Sequence, residues 1–84
     1  MPEISRFYGI VIKMYFQKTE HNPPHIHAFY QDSVIAIAIN DLKILSGDIP
    51  TTALKLIKEW INLHKEELLK IWKTQEFKTI EPLD

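Results

Sequence analysis

Apolar and polar side chains alternate along the first half of the chain and fall into a three-four rhythm along the second. That pattern predicts β structure followed by one long helix. From Arg6 to Phe16, Ile10, Ile12, Met14 and Phe16 alternate with Val11, Lys13 and Tyr15, which predicts a first strand. Gln17 to Pro24 is polar and ends in Asn22-Pro23-Pro24. The fixed φ angles and missing N–H groups of the two prolines exclude helix and central strand, so this is a loop with a stiff exit. Alternation resumes from His25 to Gln31, the second strand, and from Val34 to Asn40, the third, with Gln31-Asp32-Ser33 as the tight connection between them. Asn40-Asp41 reads as a turn, Lys43 to Ser46 as a short fourth strand, and Gly47-Asp48 as its end.

Asp48 is the expected helix N-cap, with Pro50 in the first turn. Beyond it Leu54, Ile57, Ile61, His64, Leu68 and Ile71 recur at steps of three and four, and Leu56, Trp60, Leu63 and Trp72 widen the stripe. At a rise of 1.5 Å per residue this helix is about 35 Å long, more than a small sheet needs. A bend near His64, or a second partner for the far end, is expected. Thr79-Ile80-Glu81-Pro82 is an extended tail that could lie along a sheet edge. The expected fold is a single α+β domain over 1–84. A three- or four-stranded antiparallel sheet spans about 5–47, one long C-terminal helix spans about 49–75 and packs on one face, and the tail covers 77–84.

Composition adds limits. With 84 residues, the chain buries only about 60% of its unfolded surface, so the core is small. Apolar residues at 45% and charged residues at 25% are those of an ordinary globular domain. The chain has no cysteine, which removes disulfides and thiolate metal sites and makes a cytoplasmic location the default expectation. The N-terminus lacks the long apolar run of a signal peptide, and no window reaches the length of a membrane span. Net charge is −1, with three basic and three acidic side chains in residues 1–40 and seven and eight in residues 41–84. An even balance of this kind argues against a broad basic face for nucleic acid but leaves room for a local cationic pocket.

The candidate chemistry lies in His21-Asn22-Pro23-Pro24-His25-Ile26-His27. Residues two apart on a strand share a face, so His25 and His27 stand side by side with Cα atoms roughly 6–7 Å apart. If Ile26, Ala28 and Tyr30 meet the helix, the histidines occupy the open face. Ala36 and Ala38 would flank them there, leaving a shallow recess, and Lys13 and Tyr15 could form another wall. His21 is held near the pair by Pro23-Pro24, and Glu20 is close enough to serve as a carboxylate ligand or to orient a ring.

Three readings of these residues stand. In the first, His21, His25, His27 and Glu20 bind zinc or another divalent metal, with a coordination position left open. In the second, His25 and His27 act without metal as general base and acid, with Lys13 or Arg6 stabilising a developing anion, as cleavage of RNA by its own 2′-hydroxyl requires. In the third, the histidines are solvated strand residues, and the open face is buried against another copy or a partner. His64, on the apolar stripe, is expected to be a partly buried core residue. Trp60 and Trp72 are expected anchors, with Trp72 placed to meet a partner near the helix end.

Several segments together resemble the domain-of-unknown-function 4160 family of small prokaryotic proteins. They are Pro2-Glu3-Ile4-Ser5-Arg6-Phe7-Tyr8-Gly9-Ile10, Lys13-Met14-Tyr15-Phe16, the histidine motif, Gly47-Asp48-Ile49-Pro50 and Trp60 with Leu63-His64. The motif His-Asn-Pro-Pro-His-x-His is the most specific part, and the family commonly has Phe where this chain has Ile26. The family brings no established activity. The resemblance implies one half of a two-gene module of toxin–antitoxin type, with a protein partner encoded nearby and a bacterial cytoplasm. The functional expectation is therefore a module component acting through a histidine-lined site, as a histidine- or metal-dependent hydrolase or nuclease. The alternative is a non-enzymatic binding or regulatory module that uses the open face for a partner or for oligomerisation.

Overall fold

Tyr8 and Gly9 divide the first apolar run into two strands. The computed structural model describes residues 3–15 and 23–83. Strand β1 is Glu3–Phe7 and β2 is Ile10–Lys13; between them Tyr8 and Gly9 have φ of 50° and 78°. Two successive positive φ angles are the mark of the tight hairpin turn whose twist matches the flanking strands. The single first strand expected over Arg6 to Phe16 is thus a hairpin, and Phe16 lies outside the described residues. Strands β3 (His25–Tyr30), β4 (Ser33–Ala38) and β5 (Ile44–Asp48) follow, and the antiparallel sheet has five strands in the order β1-β2-β3-β4-β5 rather than three or four.

Helix α1 spans Thr51–Thr74. Asp48 does not cap it. Gly47, at φ 77°, carries strand β5 on to Asp48, and the N-cap is Pro50, which makes no side-chain capping bond. The first helical bond runs from the Leu54 N–H to the Pro50 carbonyl at 3.0 Å. His64 leaves helical geometry at φ −120° and ψ 20°, so the helix bends where a bend was expected. A straight helix of 24 residues is about 36 Å long, whereas the longest dimension of the molecule is 30 Å. Gln75, in the left-handed conformation, ends the helix by donating its N–H to the Ile71 carbonyl at 2.8 Å.

One sheet face carries Ile10, Ile12, Ile26, Ala28, Ile35 and Ile37 onto Ile57, Trp60, Ile61, Leu68 and Ile71 of the helix, all buried. Strand alternation on one side and the three-four spacing on the other produce this layer. Leu63, expected on the helix stripe, faces solvent instead at 66% exposure. Beyond the helix the tail runs beside β1. The Ile80 N–H donates to the Ile4 carbonyl at 2.8 Å, and Trp60 Nε1–H donates to the Glu81 carbonyl at 2.9 Å. No helix among the described residues is long and apolar enough to cross a membrane.

Candidate functional site

Strand register assembles the site. Lys13 of β2 lies opposite His27 of β3, which in turn lies opposite Ala36 of β4, while His25 lies opposite Ala38. Directly opposed residues share a face, so Lys13, His25 and His27 stand over two nearly buried alanines whose methyl groups leave the floor shallow. The aromatic rings form a continuous row. Tyr15 and His27 have centroids 4.2 Å apart, His27 and His25 5.2 Å, and His25 and Trp72 5.0 Å. Lys13 places its Nζ 5.2 Å from the ring centre of Phe29, a cation–π contact that holds its charge on this face.

The two imidazoles are not equivalent. His25 Nδ1 lies 2.8 Å from the Pro23 carbonyl oxygen. A carbonyl can only accept, so Nδ1 carries a proton and Nε2 is the ring nitrogen left to give or take one. The stiff Pro23-Pro24 exit thereby fixes both the tautomer and the direction of the ring. His27 is half-buried, and its Nδ1 is shut from solvent with no hydrogen-bond partner among the described residues. Burial, and secondarily the nearby His25, push its pKa below the ordinary histidine value. His27 is therefore neutral at pH 7, with Nε2 as the nitrogen left for chemistry.

That depression has a consequence for stability. The unfolded chain takes up the His27 proton more readily than the folded one, so stability is full above about pH 6.5 and falls as pH drops from there through the lowered folded value. Urea melts of the native protein and of His27→Asn across pH 7 to 5 are expected to show a steeper loss in the native protein. Parallel curves would show that His27 is not the group responsible.

Trp72 joins the site unforeseen. The sequence marks it as an anchor; its half-buried ring closes the row at His25, so the histidine face is bounded by the helix at this end. The length of the helix beyond the sheet was the one hint in the sequence. His64 has a different setting: its side chain is 16% exposed, its ring rests 5.3 Å from that of Trp60, and its Nδ1 is 3.3 Å from Glu67 Oε1. Arg6 is held by Glu3 at 2.9 Å, and the pair pulls the Glu3 carboxyl below its usual range, so of Lys13 and Arg6 it is Lys13 that stands unpaired beside the histidines among the described residues.

Glu20 and His21 lie outside the described residues, and among the described residues no group of three or more His, Cys, Asp or Glu side chains could hold a metal ion. A separate cleft of about 280 Å³ lies between β1 and the tail, lined by Glu3, Ser5, Arg6, Thr79 and Glu81 among others. Its one cation is already paired with Glu3, and it shares no residue with the ring row.

No curated protein and no solved structure matches the chain. The profile of the Domain of unknown function (DUF4160) matches residues 9–73, a span that takes in Lys13, Tyr15, His25, His27 and Trp72. The chain belongs to the DUF4160 family, and the histidine row lies wholly within the part that defines the membership.

Proposed function

We propose that this protein is one component of a two-gene module of toxin–antitoxin type in the bacterial cytoplasm, and that it acts on a phosphate-bearing ligand through His25, His27, Lys13 and Tyr15. The observation that carries the reading is the register that sets Lys13 directly across from His27 with His25 next along the strand. A cation beside a neutral imidazole attracts an anion and keeps a base at hand to take a proton from it. With RNA, His27 Nε2 takes the proton of a 2′-hydroxyl while that oxygen bonds to phosphorus. The bond from phosphorus to the 5′-oxygen breaks, and His25, protonated for this step, supplies the proton that oxygen needs. Lys13 faces the charge that builds on the phosphoryl oxygens. With a net charge of −1, attraction is confined to this recess, which suits a short segment rather than a long duplex.

A second reading has its own observation. Two imidazoles on one tetrahedral zinc ion have ring centres about 5 Å apart, given Zn–N bonds of 2.0–2.1 Å. The His25 and His27 rings are separated by 5.2 Å. In that reading Glu20 and His21 complete the ligand set. The carbonyl bond at His25 Nδ1 is the kind of support that metal-ligating histidines receive.

Expression of the chain with and without the neighbouring gene's product, with growth and RNA integrity followed together, tests the enzymatic reading. Growth arrest with RNA loss is expected, and His25→Ala or His27→Ala should reduce the rate of RNA loss by about a hundredfold or more. Arrest that persists unchanged without the histidines would assign the protein to binding or regulation instead of catalysis.

A further inference from the structure

The two edges of the sheet are treated differently. At β1 the tail covers the edge, with the Ile80 N–H donating to the Ile4 carbonyl at 2.8 Å. At the other edge stands β5, whose five residues are all exposed, including Ile44 at 38% and Leu45 at 40%. Among the described residues no strand or tail pairs with this edge, and an open edge with aliphatic side chains is a template for another strand.

We infer that β5 pairs antiparallel with β5 of a second copy of this chain, making one continuous sheet across a two-fold axis between Leu45 and Ser46. The register of β5 on β4 carries the inference. Ser46 and Asp48 lie opposite Ala36 and Val34 and share the histidine face, while Gly47 and Ile44 lie opposite Ile35 and Ile37 and share the helix face. Leu45 is the extra residue at the irregularity between them. Alternation then returns Lys43 to the histidine face, where its carbonyl accepts from the Ala38 N–H at 2.9 Å.

In a regular strand, an axis between two residues would set unlike faces opposite each other. The extra residue reverses this. Ile44 falls opposite Gly47 of the second copy, both at helix-face positions of the register, and glycine sets no side chain against the isoleucine. Lys43 falls opposite Asp48, both on the histidine face, so the two-fold axis makes two opposite-charge pairs at the ends of the seam. An axis through Leu45 itself would set Ile44 against Ser46, which point to opposite faces. One register alone satisfies faces and charges together, and a second copy of the chain is the occupant that supplies it at both ends.

The test is sedimentation equilibrium of the full chain from micromolar to millimolar concentration, with circular dichroism to show that each variant folds. A dimer is expected. Lys43→Glu and Asp48→Lys should each weaken it roughly tenfold, and the two together should restore it to within about threefold of the native protein. His25→Ala should leave it unchanged, so this outcome is separable from that of the histidine site. A monomer at every concentration overturns the inference. So does a dimer indifferent to the charge exchange, or an association seen only with a different protein.

Discussion

Trp60→Ala is expected to remove about 3–5 kcal/mol of folding free energy, the largest single-residue loss in the molecule. A domain of this kind has about 5–15 kcal/mol in total, so the variant should be partly unfolded at 37 °C. The size of the effect follows from what Trp60 joins. Its ring is fully buried at the centre of the helix face and lies 5.6 Å from the ring of Phe7 in β1. Its Nε1–H donates to the Glu81 carbonyl at 2.9 Å, which ties the tail to the helix. Removing it leaves a cavity between helix and sheet and releases the segment that covers β1. Trp60→Phe separates the two contributions, because it keeps most of the apolar contact and loses the hydrogen bond, at about 1–2 kcal/mol. Urea unfolding followed by circular dichroism measures both. A loss under 1 kcal/mol for Trp60→Ala would mean that the helix does not dock as described.

Gly47→Ala is expected to cost about 2–4 kcal/mol, a large penalty for one methyl group. Gly47 sits at φ 77° in β5, and a Cβ there would collide with the Val34 carbonyl oxygen of β4. That oxygen is backbone and cannot turn aside, so the strand must shift or leave the sheet. Gly9 provides the control. Its φ of 78° is almost the same, but a Cβ there meets only Tyr30 ring carbons at 3.6 Å, ordinary contact. Gly9→Ala should therefore show the left-handed conformational cost alone, about 1 kcal/mol. Equal losses at the two glycines would contradict the close approach of β5 to β4. Amide exchange should further show that Gly47→Ala loosens β5 first and leaves β1 to β3 protected.

The contrast between these glycines shows what the chain makes plain and what it hides. Helix α1 was legible because Leu54, Ile57, Ile61, Leu68 and Ile71 keep a spacing that only a helix turns to one side. The family was legible from the histidine motif and its flanking segments, and the profile match over residues 9–73 supports it. The first hairpin was hidden because Tyr8-Gly9 lacks the Asn-Gly or Asp-Gly signature, and no charged residue interrupts the stretch from Phe7 to Ile12. The last residues of β5 were hidden for a related reason. Gly47-Asp48 looks like a strand end followed by a cap, whereas the glycine keeps the strand in register with β4. At the site, residue parity placed His25 beside His27, but the meeting of Lys13 with His27 depends on inter-strand register. The closure of the row by Trp72 depends on how far the helix runs past the sheet and how it bends at His64. Both are properties of tertiary packing that no local pattern encodes.

The proposed function requires His25, His27 and Lys13 to form one ligand site. Its most direct test is an NMR titration of the tag-free protein with inorganic phosphate, following the imidazole resonances of His25 and His27. Both rings should respond along one saturable curve, and Lys13→Ala should weaken that curve by about tenfold or more, the usual loss of a charge-assisted contact. Resonances that stay in place, or that respond equally with and without Lys13, would contradict it.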